Sequence, residues 1–93
     1  MIIELEYFTG PDCGVCQVLK PKLVEAVQLQ FPTVKISIHD VTVETEYAAQ
    51  QMVFTLPVVL IKVDGKELYR FARSFSVNEV LSKLDRITSL SSI

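Results

Sequence analysis

The sequence predicts an α/β fold of order β-α-β-α-β-β-α, with a central mixed sheet flanked by helices. Three observations lead there. Segments with strand-like alternation of apolar residues follow segments with helical spacing along the chain. The run PVVLI at 57–61 is continuously apolar and rich in β-branched residues, as a central strand covered on both faces requires. Asp64-Gly65 then supplies the two-residue turn of a hairpin, whose antiparallel edge makes the sheet mixed. With 93 residues, 49% of them hydrophobic, one domain spanning 1–93 is expected, with a core that needs no disulfide staples.

The elements follow in order. Residues 2–8 read as a strand cut off by Thr9-Gly10-Pro11. Over 13–31 the apolar positions Cys16, Leu19, Leu23 and Val27 share one helical face, and Pro32 ends the helix by disfavouring a helical Phe31. Residues 34–40 alternate, with Val34, Ile36 and Ile38 on one side of a half-buried strand. Thr42 is the expected cap of a second helix over 43–52. After the central strand and its turn, residues 67–72 return as the hairpin partner. Ser76 and Glu79 form a capping box, with Phe75 and Val80 as its hydrophobic staple. The helix they open carries Val77, Val80, Leu81, Leu84 and Ile87 on one face, and the tail 88–93 is expected to fray.

Several functions are disfavoured by composition. Net charge is −2, and its nine basic and eleven acidic residues are scattered without a like-charged run, so neither nucleic acid nor a membrane surface is an expected partner. Glu4 and Glu6 interrupt the N-terminal apolar stretch and no basic segment precedes it, so neither a signal peptide nor a membrane-spanning helix is expected there. Two cysteines without an export signal point to the reducing cytoplasm.

Both cysteines lie in the stretch GPDCGVCQVLKPKL, three positions apart where strand gives way to helix. Residues three apart in a helix are neighbours, so the two sulfurs can close a small disulfide with little backbone movement. Cys13 falls at the helix start, among unpaired backbone N–H groups and at the positive end of the macrodipole. Such sites lower a cysteine pKa from about 8.5 to roughly 3.5–7.5. Cys16, on the buried face, is expected to stay a thiol until needed. The arrangement suits thiol–disulfide exchange: the Cys13 thiolate attacks a disulfide, and Cys16 resolves the mixed disulfide. Half of a zinc site is the competing reading, but four ligands are needed and the chain offers Cys13, Cys16 and His39, with a carboxylate such as Asp40 to complete them. No metal or cofactor is expected.

The pair after a strand in a βα unit resembles the thioredoxin family. CGVC is similar to that family's CGPC, Pro21 to its helix-kinking proline, and TLPVVL at 55–60 to its cis-proline segment. Counted from Cys13, Pro57 and Gly65 stand where the family has its cis-proline and hairpin glycine, without a gap. The resemblance implies a minimal thioredoxin-like fold and an enzyme that reduces protein disulfides in cell redox homeostasis, with a reductase as partner and a monomeric state. It implies substrate-binding roles for Pro57 and for the backbone groups of Leu56, which can pair with a substrate chain as one strand pairs with another.

Departures from the family pattern are informative. The extra N-terminal strand and helix of full thioredoxins are absent, which resembles the smaller glutaredoxin architecture. Yet FARSFS stands where glutathione-binding glutaredoxins carry a Gly-Gly turn. Tyr7 replaces the family's buried aspartate, Ile38 a frequent lysine, and Asp12 the tryptophan before the first cysteine, so the usual route for the Cys16 proton is missing. Asp12 is expected to tune Cys13 by opposing its thiolate, or to act as a helix cap. Arg73 replaces a docking-loop glycine and is expected to narrow access or favour an acidic partner. A glutathione-dependent enzyme and a non-catalytic binding module remain as alternatives.

Overall fold

The computed structural model describes residues 1–91. Its elements are β1 (Ile3–Thr9), α1 (Gly14–Gln30), β2 (Lys35–Asp40), α2 (Thr45–Gln50), β3 (Val58–Val63), β4 (Lys66–Ala72) and α3 (Val77–Ser91), the expected order. They build one four-stranded sheet of order β2-β1-β3-β4. β1 runs parallel to β2 and antiparallel to β3, and β3 is antiparallel to β4. The mixed sheet therefore has β1 and β3 at its centre.

Strand alternation splits the core into two layers. Ile3, Leu5 and Tyr7 of β1, with Val59 and Ile61 of β3, face Cys16, Leu23 and Val27 of α1 and Val80, Leu84 and Ile87 of α3. Phe8, Val58 and Leu60 face the other way, toward Ala48 of α2 and Val53. Two helices thus cover one face of the sheet and a short helix covers the other. β3 is buried from Val58 to Ile61 for this reason.

Local signals place the ends. Asp64 and Gly65 both have positive φ, 51° and 84°, the hallmark of a type I′ turn. The hairpin is staggered by one residue at Ile61/Lys62, leaving Leu68 outside the pairing. Both bonds of the α3 capping box form: the Ser76 N–H donates to Glu79 at 2.6 Å, and the Glu79 N–H donates to Ser76 Oγ at 3.1 Å. Phe31 leaves helical geometry at φ −134°, directly before Pro32.

Three expectations differ. Thr42 does not cap α2: its N–H and its hydroxyl both donate to the Asp40 carboxylate, at 2.8 Å and 2.6 Å, which turns the hydroxyl toward Asp40 instead of toward a helix N–H. α2 accordingly starts later, with Glu44 at its N-cap and no side-chain cap bond. Ile38 is exposed on β2, the edge strand of the sheet, while Val34 is buried. Finally, α3 continues through the segment expected to fray, as far as Ser91; the Thr88 hydroxyl donates to the Leu84 carbonyl at 3.0 Å and holds that turn. Residues 92 and 93 lie outside the described residues.

Candidate active site

The strand-to-helix junction after β1 carries the two cysteines. Cys13 is the N-cap of α1 with extended backbone, and its Sγ accepts the Cys16 N–H at 3.2 Å. The sulfur of Cys13 therefore occupies the place of a capping oxygen, facing an amide that has no intrahelical partner. The two residues are joined by a disulfide, with their Cα atoms 5.2 Å apart. Cys13 is half-buried and Cys16 is fully buried. One sulfur faces outward and the other faces the core.

Across from the pair, the Leu56–Pro57 peptide bond is cis. Pro57 is fully buried. The β3 ladder begins only at Val58, and among the described residues the Leu56 N–H and C=O take no backbone partner. Gly10 leaves room for this approach: a Cβ there would lie 3.0 Å from Leu56 Cδ1. A groove of about 550 Å³ runs beside Cys13, walled by Pro11 and Asp12, by Val41 and Thr42, and by Phe54 to Leu56. Asp12, Cys13 and Leu56 are thus brought together, with Pro57 adjoining Leu56 in the chain. Arg73 reaches them through its backbone, its N–H donating to the Pro57 carbonyl at 2.9 Å. It does so at φ 65°, a left-handed conformation that costs a non-glycine residue about 1 kcal/mol.

Three features escaped sequence reasoning. Phe54 is 77% exposed on the groove wall, next to the pair. Val15 and Val18 are exposed on the outward side of α1 and, with Leu19, form an apolar shelf beyond Gly14. That both valines lie off the helical face of Cys16, Leu23 and Val27 was readable; that they stay exposed was not. Tyr7 is fully buried beneath the pair, and its hydroxyl donates to the Cys16 carbonyl at 3.0 Å. Burial pushes the Tyr7 phenol up to about 12.

The far face of β1 holds a second polar assembly. Glu6, with its side chain only 5% exposed, meets Lys62 Nζ at 2.6 Å and His39 Nε2 at 2.9 Å, and accepts the Tyr47 hydroxyl. His39 turns its other ring nitrogen to Glu44 at 2.9 Å. Burial raises the Glu6 carboxyl, but hydrogen bonds from Lys62 and Tyr47 and the nearby positive charge outweigh it and leave its pKa below the usual value. His39 is therefore held between two carboxylates.

A capping sulfur bonded to a buried sulfur one helical turn away, on this fold, defines a thiol–disulfide oxidoreductase. Comparison with known proteins agrees. Residues 2–86 match the family model described as thioredoxin, and the chain belongs to the thioredoxin family. It is 36% identical over 84 residues to the thioredoxin-like protein YdfQ of Bacillus subtilis, which spans 90% of this chain and 74% of that protein. Among solved structures it is similar to thioredoxin 1 of Thermosipho africanus, with a TM-score of 0.89 and 36% identity, covering 97% of this chain and 99% of that one. Fasciola hepatica thioredoxin is a further neighbour, with a TM-score of 0.82 and 29% identity over 91% of this chain and 80% of that one.

Proposed function

We propose that this protein reduces protein disulfides, with Cys13 as the nucleophile and Cys16 as the resolving thiol. The observation that carries the reading is the asymmetry of the pair: an outward capping sulfur facing an amide N–H, bonded to a fully buried one. In the reduced protein, the amide and the helix start favour negative charge on Cys13. Its thiolate attacks a substrate disulfide. A substrate strand pairs with the unpaired Leu56 N–H and C=O, Pro57 shapes the wall behind it, and Phe54 offers apolar contact in the groove. The occupant is an extended polypeptide, because the groove is open, lined by the apolar Val41, Val53 and Phe54, and bordered by the backbone of Leu56. A reductase returns the pair to the dithiol, and the protein works as a monomer in the cytoplasm, whose reducing conditions keep such a pair available as thiols. Insulin reduction by dithiothreitol, followed as turbidity, tests it: wild type accelerates the reaction and Cys13→Ser does not. Equal rates for the two would make the protein a binding module instead.

Asp12 and Arg73 tune this site. The Asp12 carboxylate opposes the Cys13 thiolate, so Asp12→Asn is expected to raise iodoacetamide alkylation about two- to threefold at a pH below the Cys13 pKa. A pH profile identical to wild type assigns Asp12 to the groove wall alone. Arg73, tied to Pro57 by its backbone, favours acidic substrates; Arg73→Gly is expected to raise the KM for an acidic peptide disulfide relative to a basic one, and equal KM ratios in variant and wild type sink that role.

A further inference from the structure

Pro21 lies inside α1, five residues beyond Cys16. It has no N–H for the Gln17 carbonyl, and its ring crowds that carbonyl, which loosens the turn holding the buried sulfur. Across this turn stands Tyr7. Its hydroxyl donates to the Cys16 carbonyl at 3.0 Å, in a buried setting. The anchor is firm, since Tyr7 sits on β1 between Ile38 of β2 and Val59 of β3, paired on both sides. With its phenol pushed up to about 12 by burial, Tyr7 remains a hydrogen-bond donor wherever thiols react and is no base. Glu6, the buried charged side chain among the described residues, belongs to the opposite face of β1.

We propose that Tyr7 is a positioning residue for the resolving half of the exchange, holding Cys16 by its carbonyl across the turn that Pro21 weakens. The inference rests on Cys16 being the resolving thiol. In that step the Cys16 thiol gives its proton to water and its sulfur bonds to Cys13 Sγ. The bond from Cys13 to the substrate sulfur breaks, its electron pair leaving with the substrate thiolate, which takes a proton from water. The two protein thiols are oxidised and the substrate disulfide is reduced by the same two electrons. Speed in this step depends on where the Cys16 sulfur is held, and the Tyr7 bond acts on the backbone that carries it.

One equivalent of the aromatic disulfide DTNB, mixed with reduced protein in a stopped-flow instrument, separates the halves of the reaction. A first thionitrobenzoate leaves when Cys13 attacks, and a second leaves when Cys16 resolves. In Tyr7→Phe the first release is expected to stay within twofold of wild type, while the second slows about tenfold. In Tyr7→Phe/Pro21→Ala, compared with Pro21→Ala alone, the slowing shrinks to about threefold, because the restored N–H closes the helix without help from Tyr7. The proposal is overturned if the second release is unchanged, if both releases slow alike, or if the full tenfold loss persists beside Pro21→Ala. Wild-type protein that releases only one thionitrobenzoate would overturn the resolving role of Cys16 as well. Two releases in wild type with unchanged kinetics in Tyr7→Phe would remove only the role of Tyr7.

Discussion

Cys16→Ser is expected to halt turnover and to leave the protein covalently joined to its substrates through Cys13. The outward sulfur is half-buried and can still attack, and it keeps the N-cap position that favours its thiolate. What the variant lacks is the internal thiol that displaces the substrate. Intramolecular attack by a held group is equivalent to a very high local concentration, so external thiols at millimolar levels replace it poorly. A loss on the order of a thousandfold in turnover follows. Non-reducing electrophoresis and mass spectrometry should reveal adducts on residue 13 that dithiothreitol releases. Cys13→Ser should form none. Wild-type turnover in Cys16→Ser, or adducts equally abundant in Cys13→Ser, would be incompatible with the assigned roles.

Lys62→Met is expected to destabilise the fold by about 3 kcal/mol near neutral pH, because it leaves a buried carboxylate without its closest cation. Glu6 and Lys62 approach to 2.6 Å with side chains 5% and 14% exposed, so water does little to screen the change. For a domain of this size the loss corresponds to a fall in Tm of roughly 15 °C. Adding Glu6→Gln should recover most of it, since the amide still accepts from Tyr47 and carries no charge to bury. The pH dependence has a definite sign. The Glu6 pKa is lowered in the folded state, so its contribution is fully present above the ordinary value of 4.5 and disappears as pH falls through the lower folded value. Wild type should therefore lose this stabilisation in acid, and the gap to Lys62→Met should narrow there. Urea denaturation at pH 7 and in acid measures both; a constant gap, or no gap, would rule out the charge pair as the cause.

Much of this protein was legible locally. The turn at Asp64-Gly65 and the Ser76/Glu79 capping box are decided by residues within a few positions of one another, and each formed as read. The same holds for the cysteine pair, whose spacing and helix-start position follow from the chain direction alone. Thr42 was misread although its competitor, Asp40, lies only two residues away. Both side chains have favourable local partners, and spacing does not rank them.

Other features depend on what packs against what. Glu6 and Glu4 look alike in the sequence, yet only Glu6 is buried, because Lys62, His39 and Tyr47 arrive from three separate elements to meet it. Phe54 looks like a core residue and stands in the open. Tyr7 alternates as any inward strand residue would, and its bond to Cys16 exists only because α1 crosses that point of β1. The sequence by itself determined the elements, their order and the reactive pair, since these depend on short-range periodicity, turn geometry and capping. Only the tertiary structure decided which charges are buried, which apolar side chains face the groove and what holds the second sulfur. Those depend on distances between residues far apart in the chain, which no local pattern encodes.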